Sequence, residues 1–164
     1  LAHRAWLAEQ APPAPTIHFL GMLEVDCSQP LESLIRAGGY DYANPNITAE
    51  HFPHRGKGKV VREAVTVDFG RRMKTDAAEA ELRRLGVDPA DMAELCAFGA
   101  KHLEVQRSNP VVALGQHWVL SDGSAHDGVL GRSSSKRSLD LDWNVEADEW
   151  SVGCLFLGFR KPAA

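Results

Sequence analysis

Cysteine is scarce in this chain of 164 residues, and the three present, Cys27, Cys96 and Cys154, are odd in number and far apart, with no CxxC pair. That spacing excludes both a disulfide framework and a thiolate zinc site and leaves buried free thiols as the expectation. Charge of one sign is also lacking: a net charge of -4 gives no chain-wide nucleic-acid or membrane footprint. No hydrophobic run reaches the length of a membrane span. The N-terminus has no charged region followed by a long apolar stretch, so export is not indicated. Internal repeats, a GxSxG elbow and the GxxxxGKS/T phosphate loop are absent too.

What is present suits one globular unit, because 44% hydrophobic residues in 164 supply a single core and fall short of two full-sized ones. The Ala/Pro-rich "EQAPPAPT" at 9–16 predicts an extended arm or linker over 1–16, followed by a domain over 17–164. "IHFLGMLEV" can pair as a strand. "LESLIRAGGY" reads as a short helix closed by Gly38 and Gly39, and "YANPNITAEHFP" is rich in turn residues. From Val60 the period becomes two, with Val61, Val65, Val67 and Phe69 on one face and Arg62, Thr66 and Asp68 on the other.

Two helices follow. Thr75 or Asp76 can cap the first, with Glu79 completing a box-like start, Ala78, Leu82 and Leu85 as the inner stripe, and Gly86 as the stop. Asp88 is expected to cap the second, with Pro89 at its first position and Met92, Leu95, Cys96, Gly99 and Leu103 at helical spacing. After Pro110 come strand signals: "PVVALGQHWVL", "VLGR", "SLDLDW" and "WSVGCLFLGFR". The last is apolar on both faces and belongs in the middle of a sheet. This order predicts an α+β domain, two helices packed on one side of an antiparallel, loop-rich sheet.

Several stretches carry candidate chemistry. "LDLDWNVEADEW" places Asp140, Asp142, Asn144, Glu146 and Asp148 in register with a calcium loop, but Val145 stands where that loop needs Gly and Ser151 where it needs Glu. Strand alternation accounts for the comb better: Leu139, Leu141, Trp143 and Val145 go inward and the acids face solvent. His51 and His54 form an HxxH pair, yet Pro53 opposes the helix that would aim both rings at one ion, and cations surround them. The cations from Arg55 to Lys74, with Arg62, Arg71 and Arg72, could face an anion or a nucleic-acid backbone, against the commoner reading of a solvated charge run. His117, Asp122, His126 and Asp127 lie close in sequence, with Ser121, Ser124 and Ser133 nearby, but no Ser sits on a strained turn. Trp118 and Trp150 fit either core or surface, and Trp143 fits the core.

The helix "DPADMAELCAFGAKHLEVQ", the strand "NPVVALGQHW" and the ending "LDLDW...W...CLFLGFRK" together resemble a group of short prokaryotic and prophage-type proteins whose C-terminal part is C-type-lectin-like. Variable proteins of diversity-generating retroelements use that fold, as do, more distantly, formylglycine-generating enzymes. The resemblance covers roughly 31–161. It implies a displayed binding face made of Trp118, Ser121, Asp122, Ser124 and His126, continued by Arg132, Ser133, Asn144 and Trp150. Calcium-type sugar binding is not implied: "QPL" at 29–31 and "WNV" at 143–145 depart from the EPN or QPD and WND patterns of such lectins. The Cys pair of the formylglycine-generating enzymes is missing.

The expectation is therefore a non-catalytic binding module, cytoplasmic or phage-associated, that takes a protein or other macromolecular ligand through loops and strand ends from Gln116 to Ser151. No cofactor, metal or membrane is expected, and nucleic acid is disfavoured. Two rival readings are a small enzyme with a His/Asp site around His117, Asp122, His126 and Asp127, and an anion or nucleic-acid binder using the Arg55–Lys74 cations.

Overall fold

The computed structural model describes residues 11–142 and 148–161. In chain order the elements are β1 (Thr16–Asp26), α1 (Leu31–Ala37), β2 (Tyr42–Ala43), β3 (Lys59–Asp68), β4 (Met73–Lys74), α2 (Thr75–Arg84) and β5 (Val87–Pro89). They continue as α3 (Met92–Lys101), α4 (Val105–Ser108), β6 (Val111–Val119), β7 (Ala125–Ser133), β8 (Lys136–Leu141), β9 (Glu149–Trp150) and β10 (Leu155–Arg160). Eight strands make one sheet in the order β1-β3-β10-β6-β7-β8-β2, with β5 paired to β10; β4 and β9 form a separate two-stranded ribbon. No helix among the described residues is long and apolar enough to cross a membrane.

Alternation along the strands divides the core in two. Ala64, Val111, Ala113, Leu130, Leu139, Leu157 and Phe159 point to the face covered by α1 and α3, where Leu31, Met92, Leu95, Cys96 and Phe98 meet them. Their neighbours Val65, Val67, Val112, Leu114 and Phe156 point the other way, under Ala78 and Leu82 of α2, Met73 of β4 and Trp150 of β9. β10 lies between β3 and β6 and is buried from Leu155 to Phe159, as its two-sided apolar sequence requires.

The expectation of helices on one side of an antiparallel sheet is corrected here. The sheet is mixed, since β10 runs parallel to β6 and β2 parallel to β8, and helices cover both faces. Helices reach both faces because of β5, three residues containing a proline and too short to register as a strand in the sequence. It carries the chain across the sheet between α2 and α3. β10 pairs with β6 at Leu155 and Phe156 and then with β5 at Gly158, Phe159 and Arg160, so β5 fills the fork where β6 diverges. The Gly115 amide donates to the Ala90 carbonyl at 2.7 Å, and the Ala90 amide to Leu157 at 3.0 Å, closing the fork.

β5 also moves the helix start. Asp88 and Pro89 are strand residues, and α3 begins at Met92 with Asp91 as its cap. Asp91 Oδ1 accepts from the Glu94 amide at 2.8 Å, and Glu94 Oε1 accepts from the Asp91 amide at 2.9 Å, a complete capping box. The α2 start differs from expectation as well: Lys74 occupies the cap position with no side-chain hydrogen bond, which leaves Thr75 and Glu79 for other partners.

Candidate functional site

The candidate site follows from one alternation. On β8, Leu139 and Leu141 are buried under α1 and α3, so Ser138 and Asp140, which alternate with them, must face the opposite side of the sheet. There they line an open cleft of about 660 Å³. β7 supplies the rest of the floor, with Val129 paired to Asp140 and Gly131 to Ser138. A Cβ at Gly131 would stand 3.4 Å from the Ser138 hydroxyl, so the two small residues keep the floor low. The facing wall is Arg72, Glu149, Trp150, Ser151 and Cys154, and Arg132 and Asp142 stand at the rim.

The walls are held from behind. Asp140 Oδ1 accepts from the Asn44 amide side chain at 2.9 Å and from the Leu141 amide at 2.8 Å. Trp150 is buried, its indole N–H donating to Thr75 Oγ1 at 2.9 Å and its ring edge-on to Phe156. Gln106 donates to the carbonyls of Gly131 at 2.8 Å and Ser138 at 3.1 Å, pinning β7 and β8 from the α4 side. The Cys154 thiol lies within 3.5 Å of Ser151 Oγ, and burial pushes its pKa up, so it stays protonated. Burial raises Cys27 and Cys96 likewise, and none of the three thiols is activated as a nucleophile. Among the described residues no group of three or more His, Cys, Asp and Glu could hold a metal ion.

The acidic comb thus alternates as a strand as far as Leu141, but Asp140 and Asp142 are half-buried cleft residues instead of a solvent coat. Periodicity gives the face of a side chain and nothing about what stands opposite it. Asn144, Trp143, Val145 and Glu146 lie outside the described residues.

The other residues assigned to the binding face are spread over the molecule. Trp118 and His126 pair across β6 and β7 on the α1 and α3 side of the sheet, with ring centroids 6.1 Å apart. His51 stacks on Trp118 at 3.9 Å and 13°, covering one face of the indole, and His126 is buried. Ser121 and Asp122 are exposed in the β6–β7 turn, where Asp122 Oδ1 accepts from the Ser124 amide at 2.9 Å and hydroxyl at 2.6 Å. Those bonds hold the Asp122 carboxyl below the usual range. Arg132 and Ser133 are exposed at the opposite end of β7, roughly 25 Å of strand away. Trp150 joins the cleft wall.

The sheet also divides the residues of the proposed His/Asp site. Adjacent strand positions face opposite ways, so Asp127 turns from His126 toward α2 and meets His117 there. His117 Nδ1 contacts Asp127, and Nε2 lies 2.6 Å from Glu79 Oε1 on α2. The hydrogen bond to Asp127 outweighs burial, and with Glu79 it raises the imidazole to about 8. Both ring nitrogens are committed to carboxylates. His51 Nδ1 and His54 Nε2 are tied to different carbonyls, of Asn46 at 2.7 Å and Gln29 at 2.6 Å.

The Arg55–Lys74 cations are divided too. Arg62 pairs with Glu94 and, at 3.3 Å, with Asp88, while Arg55 donates to the Gly115 carbonyl. Lys57 and Lys59 lie at one end of β3, and Arg71, Arg72 and Lys74 beyond the other, about 30 Å of strand away. Comparison with family models, curated proteins and solved structures finds no match for the chain, and its own side chains carry the functional argument.

Proposed function

We propose that this chain is a non-catalytic binding module that holds an extended segment of a macromolecular partner in the cleft beside β7 and β8. The observation that carries the reading is the cleft itself: among the described residues, an open sheet face with a small-residue floor, lined by Asp140, Asp142 and Glu149 and by Arg72 and Arg132. A concave site with a few convergent polar groups is the ordinary form of a recognition site. Its lining also favours binding over catalysis, because the one thiol there is held protonated and the imidazole–carboxylate cluster at His117 is directed to α2.

We further propose that the domain is C-type-lectin-like and kin to the variable proteins of diversity-generating retroelements. Support comes from the order β3, α2, β5, α3, the β6–β7–β8 meander, and then β10 returning antiparallel beside β3. A reverse transcriptase beside the gene, with a repeated copy of its 3′ end, is the genomic observation that tests this kinship.

Phage-displayed random peptides selected on the wild-type protein test the cleft. Ser138→Trp, which fills the floor, and Arg132→Glu, which reverses a rim charge, should each weaken selected peptides by about tenfold or more, or ~1.4 kcal/mol. Both variants should melt close to the wild type. Peptides whose affinity is indifferent to both substitutions would place recognition elsewhere and remove the proposal.

A further inference from the structure

The cleft wall and the His117 cluster are joined through one short stretch of chain. Arg72 lines the cleft. Met73 and Lys74 form β4 and pair with Trp150 and Glu149, both wall residues. Thr75 opens α2 and accepts the Trp150 indole N–H at 2.9 Å. One turn later, Glu79 reaches His117 Nε2 at 2.6 Å. The wall is therefore continuous with a helix tied to the sheet by an imidazole.

The attachment of α2 makes that tie consequential. Only Ala78 and Leu82 of the helix are buried, and its N-terminus has no side-chain cap. The charged groups facing the ring are Asp127 from β7 and Glu79 from α2. β5, packed against both α2 and β6, carries one charged residue, Asp88, which is turned to Arg62 and, at 3.8 Å, to Lys161. His126 of β7 points to the other face.

We propose that His117 is a protonation-controlled latch on the cleft: the imidazolium ties α2 to the sheet through Glu79, and loss of its proton breaks that tie and lets the N-terminal turn of α2 and the attached β4–β9 wall shift on their apolar contacts. The proposal rests on the cleft reading for its biological meaning, and its geometry stands apart from any ligand. A doubly protonated ring can donate to both carboxylates, whereas a neutral ring donates to one. Asp127 is the more deeply buried acceptor, with 6% of its side chain exposed against 25% for Glu79, and an unpaired charge costs most where water is excluded. The remaining N–H therefore stays with Asp127, and Glu79 then faces a lone pair. The ring titrates near pH 8, so the latch is closed at neutral pH and opens in mild alkali.

The test needs no partner. The His117 ring and the Trp150 indole N–H are followed by heteronuclear NMR from pH 6 to 9.5. The Trp150 resonance should move with the midpoint of the His117 ring, near 8. In Glu79→Gln the ring should still titrate against Asp127, while the Trp150 displacement at that midpoint is lost. Should Glu79→Gln fail to fold, Glu79→Asp, which shortens the reach by one methylene, should reduce the displacement. A Trp150 signal that stays fixed while His117 titrates, or one that moves identically in the folded Glu79 variant, overturns the latch. Neither result bears on peptide capture, and loss of peptide capture would leave the NMR result standing.

Discussion

Arg137 is buried, and among the described residues its guanidinium is met by carbonyl and amide oxygens instead of a carboxylate. Nε donates to Gln106 Oε1 at 3.2 Å, and the two terminal nitrogens donate to the carbonyls of Gly38 and Gly99 at 2.7 Å each, with the Tyr40 ring 4.8 Å below. Gly38 closes α1 and Gly99 lies in the last turn of α3, so one cation answers the partial negative charge of two helix ends. Arg137→Met should cost about 3–5 kcal/mol, because it strands two carbonyls and an amide oxygen in the interior. Urea denaturation measures this, and a loss under about 1 kcal/mol would mean that water replaces the guanidinium. Nothing in "SSSKRS" announces this role: a lone arginine beside a serine turn reads as surface, and its acceptors are contributed from 31 to 99 residues away. Glu79 was legible as an early-helix carboxylate, but its partner His117 was not, for the same reason of distance along the chain.

Among the elements, β5 decides the most and shows the least in sequence. It fits only because two strands that flank it carry glycine. A Cβ on Gly115 would lie 2.3 Å from the Pro89 carbonyl oxygen, and one on Gly158 would lie 2.3 Å from Val87 Cγ1 and 2.6 Å from the Asp88 carbonyl oxygen. Backbone cannot yield as a side-chain tip can. Gly115→Ala should therefore destabilise by about 3 kcal/mol or more or block folding, whereas Gly123→Ala in the exposed β6–β7 turn, with open space around it, should cost only the strain of its positive φ, on the order of 1 kcal/mol. Thermal melts of the two variants compare these directly, and equal losses would refute the fork. The capping box at Asp91 and Glu94 was written in the sequence as plainly as the Asp88–Pro89 pair. The choice between them was made by β5 pairing with β10. The outer strand β1 presents a different element-scale feature: Lys101 Nζ donates to the Met22 carbonyl at 2.7 Å, and the Arg160 guanidinium stands 5.1 Å over the ring of exposed Phe19, charges of the kind that commonly protect a sheet edge.

For the molecule as a whole, the Glu79–His117–Asp127 cluster makes stability depend on pH. The fold raises the ring from 6.5 to about 8, so its contribution is complete below about pH 6.5 and disappears as pH rises through 8. The size is ~2 kcal/mol, from 1.36 kcal/mol per unit. Urea midpoints should fall between pH 6.5 and 9 in the wild type and fall much less in His117→Gln. An equal fall in both would assign the effect to other groups.

Sequence alone determined the longer strands and the two main helices to within their ends, that β10 is central, and that Asp140 and Leu141 face opposite ways, because backbone periodicity and burial are local properties of a side-chain pattern. Only the tertiary structure decided that helices cover both faces, that β5 divides β10 from β6, that Asp140 looks into a cleft across from Trp150, and that His117 bridges Glu79 and Asp127. Each of these is a meeting of residues distant along the chain, fixed by which strands pair and which face a helix lands on, and no periodicity within a single element encodes that choice.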